Sequence, residues 1–551
     1  MERNQAIAIV VIIIIVGGAA VGFYLLAPPP GPGPVDTGVI IMGTTDSVES
    51  SLDIAQSYDY FGWEVIGSLS SGLVEIQPGS SAGTDDINPA LATSWTMSGG
   101  GTIWDFTLRE GVLFEDGTEF TADDVKFTFD RNCNLTGDGL FEEDGPQLNM
   151  EYDAIINNVT VTGTYTVRFY LKIAFAPFLQ LMAAASSFMV DHNVAKDTLT
   201  AYTEGNNRSS HAGALGPYLL ESWTRIGGSD EQITLVKNPD YWNATNGLPK
   251  TPKIIIKMFE SSTALAAAMA AGEIDIAYRH LTSDQEASFR ENPNLKYWSG
   301  IGAAIQYMCF QQQIAPFDNP DVRRAITASV NRTHVTETVF LGEKDPLYSM
   351  IPMGMAFHKP SFEIHGDANY TYARSLLEPL GYNETHPLTI DLWYEASGHY
   401  PSSHEQALVY QADLEASGVM EVRLFGTEWP TFRLQRNAGT MPVFIYGWYP
   451  DFIDPDNYAF LPFASWLNLG YNKTYPAGGV AQYDLFTQGR EGATDAARQT
   501  AYYALQDLQA SECSVIPLWQ GFTTAVTNLN VEGIILDITV SWRHWLVYLT
   551  E

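Results

Sequence analysis

From Val39 onward, stretches whose apolar side chains recur at every second position alternate with stretches whose apolar side chains recur three and four positions apart, so strands and helices are interleaved. In IWDFTLR (103–109), Trp104, Phe106 and Leu108 fall on one face of a predicted strand, and Asp116 with Gly117 supplies the next turn. Tyr165, Val167, Phe169, Leu171 and Ile173 alternate with more polar residues, the period of a half-buried strand after a turn at Gly163 and Thr164. Thr121 to Asp124 reads as a capping box opening a helix that runs through Arg131. STALAAAMAA (262–271) predicts a helix stopped by Gly272, and EIDIAY follows at once as a strand. NPDVRRAITASVNR sets Val322, Ala325, Ile326 and Val330 on one helical face. Further helices are predicted over 371–382, 403–419 and 494–512, the first two ending at Gly381 and Gly418. The chain has no heptads, short-period repeats or low-complexity tracts, and its alternation of elements predicts an α/β architecture.

Two N-terminal segments fall outside this pattern. Ala6 to Ala27 is an uncharged apolar run of 22 residues, long enough at about 1.5 Å per residue to cross a hydrocarbon core of about 30 Å. It exceeds the usual signal-peptide core of about 7 to 15 residues and no small-x-small cleavage motif is obvious, so an uncleaved transmembrane anchor (1–27) is expected rather than a cleaved signal. No cysteine follows it, which excludes a lipoprotein anchor. Arg3 is the only basic residue near either end and puts the short N-terminus in the cytoplasm. The expected location is therefore the cell membrane, with a single-pass anchor and the bulk of the chain outside. Residues 28–36, beginning PPPGPGP, cannot continue a helix and read as a stiff, extended spacer. Eight N-x-S/T sequons, at Asn134, Asn158, Asn207, Asn243, Asn331, Asn369, Asn383 and Asn472, agree with an exported chain.

Composition narrows the function. The 551 residues carry 29 Lys plus Arg against 64 Asp plus Glu, a formal charge of −35, which excludes electrostatic binding of nucleic acid. A hydrophobic content of 45% describes a chain able to bury large cores, not a disordered acidic one. Cys133, Cys309 and Cys513 lie far apart without any CxxC or Cys/His cluster. That excludes a disulfide scaffold and an obvious zinc or iron–sulfur site, and leaves three small buried side chains or one disulfide with a spare thiol. The ten histidines do not cluster as metal ligands, His399 and His404 being the nearest pair, and no cofactor is expected.

Seven segments in order carry a resemblance: residues 89–131, GPYLLESW (216–223), KNPDYWN (237–243), ALAAAMAAGEIDIAY (264–278), PFDNPDVRRAITASVNR (316–332), ARSLLEPLGY (373–382) and GWYPDFIDPDNY (447–458). Together they resemble the family 5 extracellular solute-binding proteins that serve ABC importers of peptides and similar solutes. The resemblance implies a two-lobed periplasmic-binding-protein-like fold with an extra domain inserted in the N-terminal lobe. In this numbering lobe I is 37–75 with 211–298 and 526–551, the extra domain 76–210, and lobe II 299–525. The implied function is capture of a peptide in an interlobe cleft and delivery to an importer. The chain has no GxxxxGK[ST] loop and no further apolar run of spanning length, so permease and ATPase are expected to be separate chains.

The densest chemistry lies in residues 441–460, where a β-prone stretch from Val443 to Tyr446 ends at Gly447 and Trp448, Tyr449, Asp451, Phe452, Asp454 and Asp456 crowd the loop after it. Aromatic rings beside a carboxylate suit a solute with an apolar body and a cationic end. In peptide-binding members the Asp four residues after this Gly pairs with the peptide's terminal ammonium, so the resemblance gives that role to Asp451, worth about 1.5 to 3 kcal/mol. The backbone from Gly447 to Tyr449 is expected to pair with the ligand as an added strand. Asp454 and Asp456 read as a turn around Pro455. Tyr60, with Tyr58, Phe61 and Trp63, is a candidate for the opposite wall or for core. Members that read the far carboxylate of very short peptides use a basic residue where this chain, from Ser375 to Val422, has none. His399 stands nearest that place and holds a carboxylate less firmly than Arg, so longer peptides or another solute are expected.

Three other readings compete. An oligosaccharide would use the same rings and carboxylates; a solute sensor or adhesin would keep the fold; and an extracellular hydrolase would pair Asp451 with Asp454 or Asp456. No GxSxG, HExxH or Cys/His signature supports catalysis, and the chain is expected not to be an enzyme.

Overall fold

The computed structural model describes residues 38–48, 51–55, 57–80, 86–134, 150–195, 215–471 and 477–550. Residues 6–27 lie outside these, as do the spacer and the sequons at Asn207 and Asn472. Among the described residues no helix is long and apolar enough to cross a membrane.

The elements form where the periodicity puts them. Trp104, Phe106 and Leu108 are buried on the strand Ile103–Leu108, and Val167, Phe169 and Leu171 on Thr166–Leu171. The helix Ala122–Asn134 opens with Asp124 Oδ2 accepting from Thr121 N at 2.7 Å. The helix Ser262–Ala271 is capped by Ser261 and ends at Gly272, whose φ of +71° lies where a Cβ is unfavourable. Pro320–Ser329 buries Val322, Ala325 and Ile326, with Val330 just beyond its end. The helix expected over 371–382 is shorter, Tyr370–Leu377 and then a tight turn before Gly381, because Pro379 cannot donate to an α-helical ladder. The other two are Ser403–Glu415 and Asp495–Glu512. All three cysteines are free thiols, and Cys309 and Cys513 are buried.

One sheet of eleven strands runs through the molecule, and its two ends are the two lobes. At one end Val39–Thr44 lies parallel to Lys253–Met258 and Ile276–Tyr278, with Ser229–Lys237 and Tyr218–Ile226 continuing outward. At the other, Leu388–Glu395 lies parallel to Met420–Thr427 and Val443–Trp448. Two long antiparallel strands, Leu295–Phe310 and Val515–Asn528, join the ends, and their register breaks between Ile301 and Ile305. Each end has its own apolar core. This is a two-lobed α/β periplasmic-binding-protein-like fold.

A separate four-stranded antiparallel sheet is built from Ala92–Ser98, Ile103–Leu108, Thr166–Leu171 and Ile156–Gly163. Phe169 centres its core, with ring centroids of Phe106, Phe129 and Phe178 at 5.6, 5.0 and 5.4 Å. Phe452 of the second lobe is buried in that same cluster, 6.2 Å from Phe175. Arg490 adds a bridge, reaching Glu151 at 2.6 Å and Asp456 at 2.9 Å. The loop after Val443–Trp448 is thus pinned between the second lobe and the small sheet.

Candidate functional site

The strand Val443–Trp448 is buried as far as Gly447, which suits its unbroken apolar run. Its ladder with Leu388–Glu395 stops at Trp393 and Phe444, whereas its other edge is paired to Trp448. Beyond the end of that ladder Tyr400 packs on Gly447, where a Cβ would stand 2.6 Å from the Tyr400 ring, so the close approach requires glycine.

Past Trp448 the chain turns around Asn457. Its carboxamide donates to Asp451 Oδ2 at 3.1 Å and accepts from Asp451 N at 2.9 Å and from Trp448 Nε1 at 3.0 Å. One side chain thereby fixes both the candidate carboxylate and the candidate ring. Trp448 also stacks on Trp466, centroids 5.5 Å apart. Asp454 and Asp456 are buried and held by Arg498 at 2.6 Å and Arg490 at 2.9 Å, so neither is a free acid or base beside Asp451. They hold the turn, in which Asp456 N donates to Asp454 Oδ1 at 2.9 Å.

The facing wall comes from the first lobe. Asp59 accepts from Gly62 N at 2.6 Å and caps the helix Tyr60–Leu69, which sets Tyr60 at its first turn. Tyr58 Oη donates to Asp451 Oδ1 at 2.9 Å and Tyr60 Oη to the Pro450 carbonyl at 2.9 Å, so the two lobes touch across the loop. Tyr449, 42% exposed, lies with its ring 5.3 Å from Tyr60. Of the four aromatic residues near the N-terminus, Tyr58, Tyr60 and Trp63 face this region and Phe61 is core. Burial pushes the Asp451 carboxyl up to about 7, against the lowering effect of its bonds to Asn457 and Tyr58. Its side-chain contacts are neutral donors, with no cation beside it among the described residues.

A charge cluster that the sequence did not reveal lies beside Tyr60. Arg279 reaches Asp46 at 2.8 Å and Glu64 at 2.9 Å, and His280 reaches Asp46 at 2.7 Å. Arg279 and His280 both have φ of +58°, a left-handed conformation costing on the order of 1 to 3 kcal/mol for each non-glycine residue, which these ion pairs help to hold. Glu64 also accepts from Tyr278 Oη and Trp542 N, both at 3.0 Å. Burial nevertheless raises it to about 7, whereas Asp46, despite the desolvation of a half-buried site, is held well below the usual carboxylate range by Arg279 and His280. Residues 46, 64 and 279 share no motif or spacing, and only the fold brings them together.

His399 stands away from these groups. It stacks on Trp429 with centroids 3.7 Å apart, and desolvation, assisted by Arg436, holds its pKa below the ordinary imidazole range. An uncharged ring there supplies no cation to a carboxylate. Between helix 60–69, the small sheet's helical turns and the loop at Asp451 lies a cavity of about 140 Å³. Tyr60, Trp63, Glu64, Glu75, Asp451 and Arg543 are among its walls; Gly447, Trp448, Tyr449 and His399 are not. Among the described residues Asp124, Asp191 and His192 come together closely enough to consider a metal. Their oxygens are engaged in structure: Asp124 caps its helix and accepts from His192 N at 3.0 Å, and Asp191 accepts from Thr118 Oγ1 at 3.0 Å and Asn193 N at 2.7 Å.

Comparison with known proteins agrees with this fold. Residues 86–466 match the model of the bacterial extracellular solute-binding proteins, family 5. The probable D,D-dipeptide-binding periplasmic protein DdpA of Escherichia coli is 25% identical over 510 residues, 91% of this chain and 92% of its own length. The periplasmic binding protein DppA of Helicobacter pylori, solved with the peptide STSA, superposes with a TM-score of 0.75 at 22% identity, covering 94% of this chain and 99% of its own. NikA of Brucella suis, solved with Fe(III)-EDTA, gives a TM-score of 0.78 at 19% identity over 93% of this chain and all of its own (100%). The fold is therefore shared by proteins that hold different solutes.

Proposed function

The chain belongs to the bacterial extracellular solute-binding proteins of family 5, and from that membership we propose that it captures a peptide between its lobes and delivers it to an ABC importer. The observation that carries the ligand class is Asp451, a buried carboxylate on the loop where the lobes meet, with only neutral hydrogen-bond donors and a proton affinity raised to about 7. A terminal ammonium supplies the missing countercharge. The strand edge from Ile445 to Trp448, past the end of its ladder with 388–395, supports main-chain pairing of the peptide. Trp448 and Tyr449 contribute ring surface. Tyr60 acts from the opposite lobe. With His399 uncharged, the far carboxylate goes unread, which favours peptides longer than two or three residues.

The same reading includes the apolar run 6–27 as a membrane anchor with the bulk of the chain outside, the small sheet and its helices as an extra domain (76–210) inserted in lobe I, and permease and ATPase as separate chains. Tethering would keep the binder at high effective concentration near its transporter. No catalytic step is assigned. The test is thermal unfolding of the purified chain with pools of five-to-eight-residue peptides, the same peptides Nα-acetylated, and oligosaccharides. Free peptides at about a hundred times their dissociation constant add about 2.7 kcal/mol and raise the midpoint, and acetylated ones and the Asp451→Asn variant lose that gain. Equal stabilisation by acetylated peptides would remove Asp451 as the ammonium partner, and stabilisation by sugars alone would remove the peptide.

A further inference from the structure

The cavity beside Asp451 has an electrostatic imbalance. Its walls carry three carboxylates, Glu64, Glu75 and Asp451, against one guanidinium, Arg543. Two of these four groups are matched from just outside: Glu64 by Arg279 at 2.9 Å, and Arg543 by Asp537 at 2.8 Å. That leaves Asp451, which has only neutral donors, and Glu75, whose side chain makes neither a hydrogen bond nor an ion pair among the described residues. Glu75 is half-buried on the short strand Val74–Ile76. Burial raises its pKa, with Arg543 as the one charge opposing that rise.

Trp63, Phe188, Trp542 and Trp545 give the rest of the lining its aromatic surface, and Ser70, Ser71, Gln180, Thr539 and Ser541 add polar groups to it. A volume of about 140 Å³ is well below the roughly 300 to 1,000 Å³ of a site for a whole drug-sized ligand. It suits one side chain. The best complement is a long alkyl stem that packs on rings and ends in a cation, because such a stem keeps its apolar length against the walls while its head pairs with a carboxylate.

We propose that this cavity receives the first side chain of the bound peptide and selects lysine or arginine there, with Asp451 taking the α-ammonium and Glu75 the side-chain cation. The inference rests on the reading of Asp451 given above and adds a second, independent charge contact. The chain's excess of acid, −35 overall, favours the approach of such a dicationic end.

Calorimetry with two pentapeptides that differ only at the first residue, lysine against norleucine, followed by four alanines, tests it on the wild-type chain. The expected result is at least tenfold tighter binding of the lysine peptide. In Glu75→Gln that ratio should fall to about one through loss of lysine-peptide affinity, the norleucine peptide binding as it does to wild type. Equal affinity of the two peptides for wild type overturns the proposal, as does an equal loss for both in Glu75→Gln. Asp451→Asn separates the two levels: if it weakens both peptides and they bind wild type alike, the ammonium site stands and the side-chain selectivity falls. If neither peptide binds wild type, both readings fall.

Discussion

At Asp451 the proposed capture of an ammonium turns on a proton. Burial holds the carboxyl half-protonated near pH 7 while its contacts are the hydroxyl of Tyr58 and the amide of Asn457. An arriving ammonium favours the ionised form and pulls that pKa down. Peptide binding at pH 6 should therefore release a proton from Asp451, read as a dependence of the binding enthalpy on buffer ionisation enthalpy, and the dependence should vanish in Asp451→Asn. Asn457→Ala removes one donor and two accepted bonds at once, leaving buried polar atoms on Asp451 and Trp448 unsatisfied. At about 1 to 3 kcal/mol for a buried group left unmade, equilibrium denaturation should show a loss on the order of 3 kcal/mol. The proton-release midpoint should rise as well, since one of the two bonds lowering that pKa is gone. Asp451 was a candidate from the sequence because the family resemblance gives a role to the carboxylate four residues after Gly447. Asn457 was not, because its role arises from a loop folding back on itself, and Glu75 was one acidic residue among 64 Asp and Glu.

At the level of elements, capping and periodicity placed most helices and strands, since those signals are local: Thr121 to Asp124, Ser261 with Gly272, and the two-residue alternation of Thr166–Leu171. The boundary that shifted, after Leu377, did so at Pro379 for an equally local reason. The strand Val443–Trp448 is different. Its availability at Ile445–Trp448 depends on where its neighbour stops, and the absence of a side chain at Gly447 depends on Tyr400, 47 positions away. Gly447→Ala should push the Tyr400 ring, destabilise the chain by about 1 to 3 kcal/mol in a denaturant titration, and weaken peptide binding in the same variant. Loss of stability with unchanged peptide affinity would show that this edge takes no part in capture.

Across the whole molecule, the lobes touch through Tyr58 with Asp451 and Tyr60 with Pro450, while Phe452 and Arg490 tie the same loop to the small sheet. Removing both hydroxyls, Tyr58→Phe with Tyr60→Phe, takes away the two bonds across the loop, of about 1 kcal/mol each, and with them the longer contact of Tyr60 to the Thr539 carbonyl. Small-angle scattering of the ligand-free chain should then show a larger radius of gyration, and an unchanged radius would mean that other contacts hold the lobes together. Protonation acts on the same contact. Asp451 and Glu64 have pKa values raised to about 7 from ordinary values of 3.8 and 4.5, so between those limits the folded chain binds more protons than the unfolded one. Their contribution to stability is present in full below about pH 4 and is lost as pH rises through 7. Relative to Asp451→Asn, the wild-type unfolding midpoint should fall between pH 5 and pH 8, and parallel curves would contradict the assignment. The sequence by itself determined the α/β alternation, the individual elements, the family and the loop carrying Asp451, because each is written in residues close together along the chain. Only the tertiary structure decided the company of that loop: Tyr58 opposite Asp451, Arg279 between Asp46 and Glu64, and Glu75 in the wall of the same cavity. Those pairings join positions up to several hundred residues apart, and burial, which sets their charge states, does not exist until the lobes pack.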